Sequence, residues 1–494
     1  MPCKLAVVGD SLSQGFQDGA IGRDFPLRSF PAIVARALGL TVGTNPTDAF
    51  RVPTIPGDGL PLDILALLGR IRQRTGAHIS ALEWPTKVLP EVAHYFDELE
   101  TFYERGPGAR PVGFGGVYHN LAAYGLTVFE GTHLTSRLCD QQISDAEGWF
   151  RDDLFGTPSG AKYRAAKLVL DPDGRRPDAT QLDNLDYLVN GNAQLGIEAD
   201  PPDALIVWLG ANDCLGTVVA LEVHDMPPDA GSTIGARHAF NLTSDSQFLA
   251  DYRALAVRID AILGGRDIPV FVGTIPDVSI PPLAKGVGTL KDGLFDYYVR
   301  FFVKDEDRPP PLHKRLTRAD VATVQMRIRR FNDHVRTVSG ERRNWHVVEI
   351  ADVLDQLAVR RNHHADPAEP LRQYYAREGR PNHPLLTPAL VDPVPSLLTL
   401  RSDQHGKRLS GGLTSLDGVH PTTIGYGIAA EVFLKTMQAQ GISGADPMNV
   451  DWPGLIAQDR LLRRAPVIWQ DFLAAAADHS LVWDLLFRSL AGRT

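Results

Sequence analysis

The stretch Lys4-Leu-Ala-Val-Val-Gly-Asp-Ser-Leu-Ser-Gln-Gly15 decides the reading of the fold. Leu5 to Val8 is an unbroken apolar run of the length of a buried strand. Gly9 and Asp10 break it into a loop, and a helix start is expected directly afterwards. Backbone N–H groups at such a corner lack partners and favour negative charge nearby. Ser11 therefore stands there either as a helix cap or as a group with chemistry of its own. A phosphate loop fits less well, because its Gly-Lys-Ser/Thr ending is missing.

The strand pattern recurs along the chain with helices between. Ala204-Leu-Ile-Val-Trp-Leu209 is near-continuously apolar, as strands of a parallel sheet are. Gly116–Ala122, Ile268–Gly273 and Trp345–Ile350 are further strand candidates. Apolar spacing predicts a helix over Ser29–Leu38, stopped by Gly39, and another from Ser246 with Phe248, Tyr252, Leu255, Ile259 and Ile262 on one face. Arg318–Val338 carries Val321, Val324, Ile328, Phe331 and Val335 on one stripe, and a helix is expected after Pro421. Alternation of this kind, with right-handed crossovers, predicts an α/β fold whose parallel sheet is covered on both faces.

Long additions separate these elements, at about 44–113, 131–200, 277–317 and 360–412. The first has helical pieces around Leu62–Arg72 and Glu91–Tyr103, and the second is rich in Asp and Gly. The third includes Phe295–Phe302 and Arg308-Pro-Pro-Pro-Leu312. Loops this long are functional or disordered as a rule, and these are apolar enough to pack, either as a cap over Ser11 or as an enlargement of the body. Residues 1–440 are read as one domain and 441–494 as a helical C-terminal extension. Its Leu461, Ile468, Phe472, Leu481, Trp483, Leu486, Phe487 and Leu490 stand among charges of both signs. Helices that lie on membranes are rich in Lys and Arg, so docking on the body is the expectation.

Composition narrows the function classes. The 494 residues are 44 % hydrophobic and 22 % charged, with a formal net charge of −9 that argues against a nucleic-acid surface. Arg327-Ile-Arg-Arg330 and Arg342-Arg343 read as solvated faces. No apolar run approaches the ~20 residues of a membrane span. Leu5–Val8 already belongs to the strand before Ser11, so no secretory signal is recognised. Cys3, Cys139 and Cys214 are few and odd in number, which suits a reducing compartment. Cytoplasmic is the expected location, although leaderless export would leave the same pattern. Cys214 reads as a small buried filler more than a pocket residue. Asn362-His-His-Ala-Asp366 lacks further spaced ligands, so no metal is expected.

Three further segments supply what Ser11 would need for acyl transfer. A serine hydroxyl needs a base within reach, usually an imidazole held in one tautomer by a carboxylate. Asp417-Gly-Val-His420-Pro421 puts a carboxylate and an imidazole three residues apart on one turn. Asn120-Leu-Ala-Ala-Tyr-Gly125 and Gly210-Ala-Asn-Asp213 offer hydrogen-bond donors for a developing oxyanion. Gly125 has no side chain to cover its N–H. Asn212 falls at the carboxyl end of a strand, where open α/β sheets place their sites. Each segment also has a plainer reading. Asp417 would cap the following helix, Gly125 would serve a turn, and Asn212-Asp213 would form an Asx-turn.

The four segments, in this order, resemble the SGNH, or GDSL, serine hydrolases. That family carries Gly-Asp-Ser-Leu, Asn-Leu-Ala-x-x-Gly, Gly-x-Asn-Asp and Asp-x-x-His blocks, matched here by Gly9–Leu12, Asn120–Gly125, Gly210–Asp213 and Asp417–His420. The resemblance implies a three-layer α/β/α fold with a flavodoxin-like sheet. It implies Ser11 as nucleophile, His420 as base, Asp417 as orienting acid, and the Ser11 N–H, Gly125 and Asn212 as oxyanion donors. It also implies a carboxylic ester or thioester hydrolase, an esterase or lipase type, working through an acyl-enzyme with no cofactor. The expected partner is a small-molecule or lipid-like acyl ester. An acyltransferase with the same triad is the nearest alternative, and a non-catalytic binding protein on this scaffold is the rival from another class.

Overall fold

The computed structural model describes residues 3–146, 158, 160–303, 314–362, 364–462 and 465–478. At its centre lies a parallel sheet of strands β1 (Leu5–Gly9), β2 (Ala204–Trp208), β3 (Val270–Gly273) and β4 (Trp345–Val348), in that spatial order. Leu5 pairs with Ala204 and Gly9 with Trp208, Leu205 with Val270, and Val270 with Trp345. Every residue of β1, β2 and β3 is buried, as expected for strands covered on both faces. The chain is a mixed α/β protein.

Between and after these strands lie α1 (Ser11–Gln14), α2 (Phe30–Ala37), α3 (Val128–His133), α4 (Ala161–Leu170), α5 (Gln181–Asn190), α6 (Asn212–Ala220), α7 (Asp245–Leu263), α8 (Arg318–Gly340), α9 (Ile350–Leu357), α10 (Thr423–Ala439) and α11 (Trp452–Gln458). Their starts follow from short polar side chains. Ser29 caps α2, Ser244 caps α7, and Thr317 forms a reciprocal capping box with Asp320 on α8.

The strand period of two divides the core. Ala6, Val8, Leu205, Val207, Val270 and Val272 point to one face, where α7 and α8 meet through Phe248 stacked on Phe331 at 3.9 Å. Leu5, Val7, Ile206, Trp208, Phe271 and Val348 point to the other, against α2 and α10. There Phe433 of α10 lies 4.7 Å from Phe30 and 5.7 Å from Trp208. Burying one such ring stabilises by about 1.5–3 kcal/mol. This contact fixes α10, and with it the turn that precedes it, over the end of β1.

Some of the predicted strands are shorter than the sequence suggests, Ile268–Gly273 beginning only at Val270. The predicted strand Gly116–Ala122 shrinks to one bridge between Asn120 and Val7. His119 O and Leu121 N still bond Val7, so the segment runs parallel beside β1. Its other edge is spent on one acceptor, since both the His119 and Asn120 N–H groups go to Arg51 O. The predicted strand Trp345–Ile350 ends at Val348, because Ile350 opens α9. The Asp- and Gly-rich stretch 131–200 is largely helical, holding Ser136–Ala146 with α4 and α5. Two helices, Ile64–Thr75 and Leu89–Glu100, form in the first addition. In the third, strands Ala284–Val287, Tyr297–Arg300 and Leu316–Thr317 make a small antiparallel sheet. Pro309–Pro311, His363, and Leu481, Trp483, Leu486, Phe487 and Leu490 lie outside the described residues. Among the described residues no helix is long and apolar enough to cross a membrane.

Candidate active site

The site is built where β1 stops. A Cβ at Gly9 would collide with the Ser13 hydroxyl, so only glycine lets the chain fold back into α1. Asp10 caps α1 by accepting from the Leu12 N–H at 3.0 Å, and Gly15 ends it at φ +97°, a left-handed conformation suited to glycine. Ser11 is thereby the first residue of a helix and its N–H has no intrahelical acceptor. Neighbouring amides lock the corner. Asn120 Nδ2 donates to Ser13 O at 2.8 Å, and Gln14 Oε1 accepts the Tyr124 N–H at 2.9 Å. Gln181 Nε2 bridges Gly9 O and Leu121 O at 2.8 and 2.7 Å.

The second half comes from the turn before α10. The Ser415 N–H donates to His420 O and the Gly418 N–H to Ser415 O, at 2.8 and 3.0 Å, with Gly418 at φ +76°. Within this turn Asp417 Oδ1 accepts the N–H groups of Val419 and His420 at 2.8 and 2.9 Å. Its Oδ2 takes the Gly19 N–H at 3.1 Å and faces His420 Nδ1 at 3.0 Å. The remaining ring nitrogen, Nε2, is 3.0 Å from Ser11 Oγ. A carboxylate can only accept, so Nδ1 carries the proton, Nε2 accepts, and the Ser11 hydroxyl donates. Ser11, Asp417 and His420 are all buried, and the Phe16 ring lies 4.5 Å from the imidazole.

The two donor segments differ. Gly125 sits at φ +78°, and among the described residues its N–H meets no protein acceptor. Asn212 is brought to the same end of the sheet, but its amide nitrogen is engaged. Nδ2 donates to Leu126 O at 2.9 Å and to Asp10 Oδ2 at 3.2 Å. An oxyanion would take one of these hydrogens, and the longer bond to Asp10 is the one to yield. Cys214, in the first turn of α6, is fully buried, with Sγ against Ala211 O, and does not line the cavity at Ser11.

Two buried carboxyls here are tuned in opposite directions. Burial would raise Asp417, yet the His420 charge and hydrogen bond, with the Val419 and His420 N–H groups, hold it below the ordinary carboxylate range. Asp10 is pushed by burial up to about 7, against the pull of the Leu12 N–H and of His420. Between Ser11 and α9 opens a cavity of about 120 Å³, lined mainly by apolar side chains. Leu12, Trp208 and Leu215 come from the sheet end, Val353 and Leu357 from α9, and Ile428 from α10. Val278, Pro281 and Leu397, from two of the long additions, complete its wall. Among the described residues no group of His, Cys, Asp and Glu is placed to hold a metal ion.

Sequence reasoning missed Gln181, Asp18 and Tyr426. Tyr426 donates to Phe16 O at 2.7 Å, and Asp18 accepts the Leu416 N–H at 3.0 Å. None carries a local signal, since each acts on a partner far away in the chain. The chain matches no protein-family model, no curated protein and no solved structure.

The Asp10 carboxyl has a measurable consequence. Its folded-state pKa of about 7 lies above the unfolded value of about 3.9. Its contribution to stability therefore falls as pH rises between those values, by up to about 4 kcal/mol. Asp10→Asn removes this loss, so its melting temperature relative to wild type should climb between pH 5 and pH 8 by scanning calorimetry. A difference that stays flat across that range would mean that Asp10 titrates as an ordinary carboxyl.

Proposed function

We propose that this chain is a serine-dependent carboxylic ester hydrolase of the SGNH/GDSL type, with Ser11 as nucleophile, His420 as base and Asp417 as orienting acid. The observation that carries the reading is the continuous relay from Ser11 Oγ through His420 to Asp417, with both heavy-atom distances at 3.0 Å. A helix cap would account for Ser11 alone, and a turn for Asp417 alone. Neither accounts for their convergence on the two nitrogens of one ring. The segment beside β1 adds to the four strands a spatial order of second, first, third, fourth and fifth in chain sequence. That order supports a flavodoxin-like sheet, and the apolar clusters on its two faces support three layers. Trp452 of α11 donates to Glu431 of α10 at 2.7 Å, which supports the described part of the 441–494 extension as packed on the body. Three buried free thiols support a reducing, cytoplasmic setting.

The chemistry follows from the geometry. Ser11 Oγ attacks the acyl carbonyl as its proton passes to His420 Nε2, and the imidazolium is stabilised by Asp417. The carbonyl oxygen becomes an oxyanion, received by the N–H groups of Ser11 and Gly125 and by the Asn212 amide. Collapse breaks the bond to the alcohol, which leaves with the proton from Nε2. Water, deprotonated by the same nitrogen, then releases the acid and restores Ser11. The apolar cavity suits the hydrocarbon part of a lipid-like ester, which buries favourably against Leu12, Val353 and Ile428.

Turnover of p-nitrophenyl esters, from acetyl to palmitoyl, tests this reading. Wild type should hydrolyse at least one of them, and Ser11→Ala none. Asp417→Asn should stay folded, with a lower melting temperature because an amide cannot accept from donors on both sides, and lose about 10²–10⁴-fold in kcat, the span of general-base catalysis. Full activity in either variant would defeat the assignment.

Asn212→Ala addresses the oxyanion donors separately. A donor used in the transition state costs kcat far more than KM, on the order of 10²–10³-fold. A loss below about tenfold would leave Asn212 as a link between Asp10 and Leu126 only.

A further inference from the structure

The turn that carries Asp417 and His420 is bracketed by two consecutive residues of the C-terminal extension. Asp459, 4 % exposed, accepts the Ile424 N–H at 3.1 Å with Oδ2, in the first turn of α10. Its Oδ1 accepts the N–H groups of Leu461 and Leu462, both at 3.0 Å, which fixes the local chain. Arg460 turns the other way. Its Nη1 donates to Asp18 Oδ2 at 3.1 Å, and its Nη2 reaches both oxygens of Asp63 at 3.0 and 2.7 Å. The guanidinium also lies over the Phe25 ring, 4.9 Å from its centre.

Asp18 connects this clamp to the relay. Its Oδ1 accepts the Leu416 N–H and its own N–H donates to Ser415 Oγ, both at 3.0 Å. The next N–H, of Gly19, is one of the donors on Asp417 Oδ2. Asp18 is held at φ +52°, a left-handed conformation that costs a non-glycine residue and persists only where its surroundings impose it. Burial pushes its carboxyl upward and Asp63 and Asp417 add to the push, while the Arg460 guanidinium opposes it. A buried carboxylate stripped of its cation is strongly destabilising, whereas removing both partners is far less so.

We propose that Asp459 and Arg460 are positioning residues of the Ser11 site. Through Ile424 on one side and Asp18 on the other, the C-terminal extension sets the Asp417–His420 turn at hydrogen-bond distance from Ser11. The inference rests on the hydrolase reading for its kinetic consequence, but the geometry of the relay can be read without turnover. Neither residue touches the cavity, so their loss acts on the reacting atoms only by displacing the turn.

The test uses the full-length protein and three variants, Arg460→Met, Asp459→Asn and the double variant Asp18→Asn/Arg460→Met, each measured below its own melting temperature. Two readouts are taken. One is kcat and KM on the best p-nitrophenyl ester. The other is the downfield proton resonance of His420 Nδ1, assigned by its loss in His420→Gln. Arg460→Met and Asp459→Asn should lower kcat by up to about 10²-fold with KM within about twofold, as a small misplacement of catalytic groups does. Both should also broaden or shift the His420 proton. The double variant removes the Asp18 charge but leaves Asp63 without its cation and the turn without its link to Arg460, so kcat and the resonance should stay impaired. Recovery of both would trace the loss to the stranded Asp18 charge and overturn the positioning role of Arg460. If wild type turns over esters while Arg460→Met and Asp459→Asn keep both kcat and the resonance, the positioning role is overturned, whatever their melting temperatures do. If wild type turns over no ester, the hydrolase reading fails, and the His420 resonance in the variants still decides whether these residues set the turn.

Discussion

One hydrogen bond, from Ser11 to His420, joins positions 409 residues apart, and much of the architecture serves to keep it short. A 3.0 Å contact cannot be fixed by local structure when its two ends lie on different elements. Ser11 is set by β1, whose neighbours on both sides lock its register, and by Gly9, which permits the abrupt turn into α1. His420 is set by a turn hung on α10, and α10 is set by Phe433 against Phe30 and Trp208. The sheet and the aromatic contact thus work together. Without either, the imidazole and the hydroxyl would each be well formed and useless to the other.

Buried carboxyls surround this bond, and their partners decide what each can do. Asp417 accepts three backbone N–H groups and faces an imidazole, which keeps it charged and so able to hold the Nδ1 proton. Asp10 and Asp213, equally buried, are both raised to about 7. Asp213 still has a structural task, since it takes the Val128 N–H at 3.0 Å and the Thr243 hydroxyl at 2.8 Å. Low dielectric makes such groups costly when unpaired and specific when paired. The same logic applies to Lys162 and Glu130, a buried pair at 2.6 Å whose lysine stem underlies Gly125.

The sequence makes the central strands legible because they are short, apolar and ended by glycine or polar residues. Leu5–Gly9 and Ala204–Trp208 fall within the stretches read as strands, and the helices read from Ser29, Ser246 and Arg318 begin within one residue of those positions, at Phe30, Asp245 and Arg318. The four motif segments, and the family resemblance they carry, point to Ser11, Asp417, His420, Gly125 and Asn212, and the fold gathers them at one end of the sheet. The segment around Asn120 was less legible. Its apolar letters suggest a strand, but two of its N–H groups share the Arg51 carbonyl, a non-local choice. Nor could spacing reveal that the Asn212 amide is already divided between Asp10 and Leu126, or that Arg460 reaches Asp18. Those contacts depend on how separate segments pack, and no periodicity records them.

The central claim is that the relay makes one serine nucleophilic. A fluorophosphonate probe reports this directly, because only an activated serine attacks it quickly. Incubation of the full-length protein with the probe, followed by peptide mapping, should find a single modified residue, Ser11, and none in Ser11→Ala. Labelling that persists in that variant, or a well-folded wild type that takes up no probe, would contradict the account.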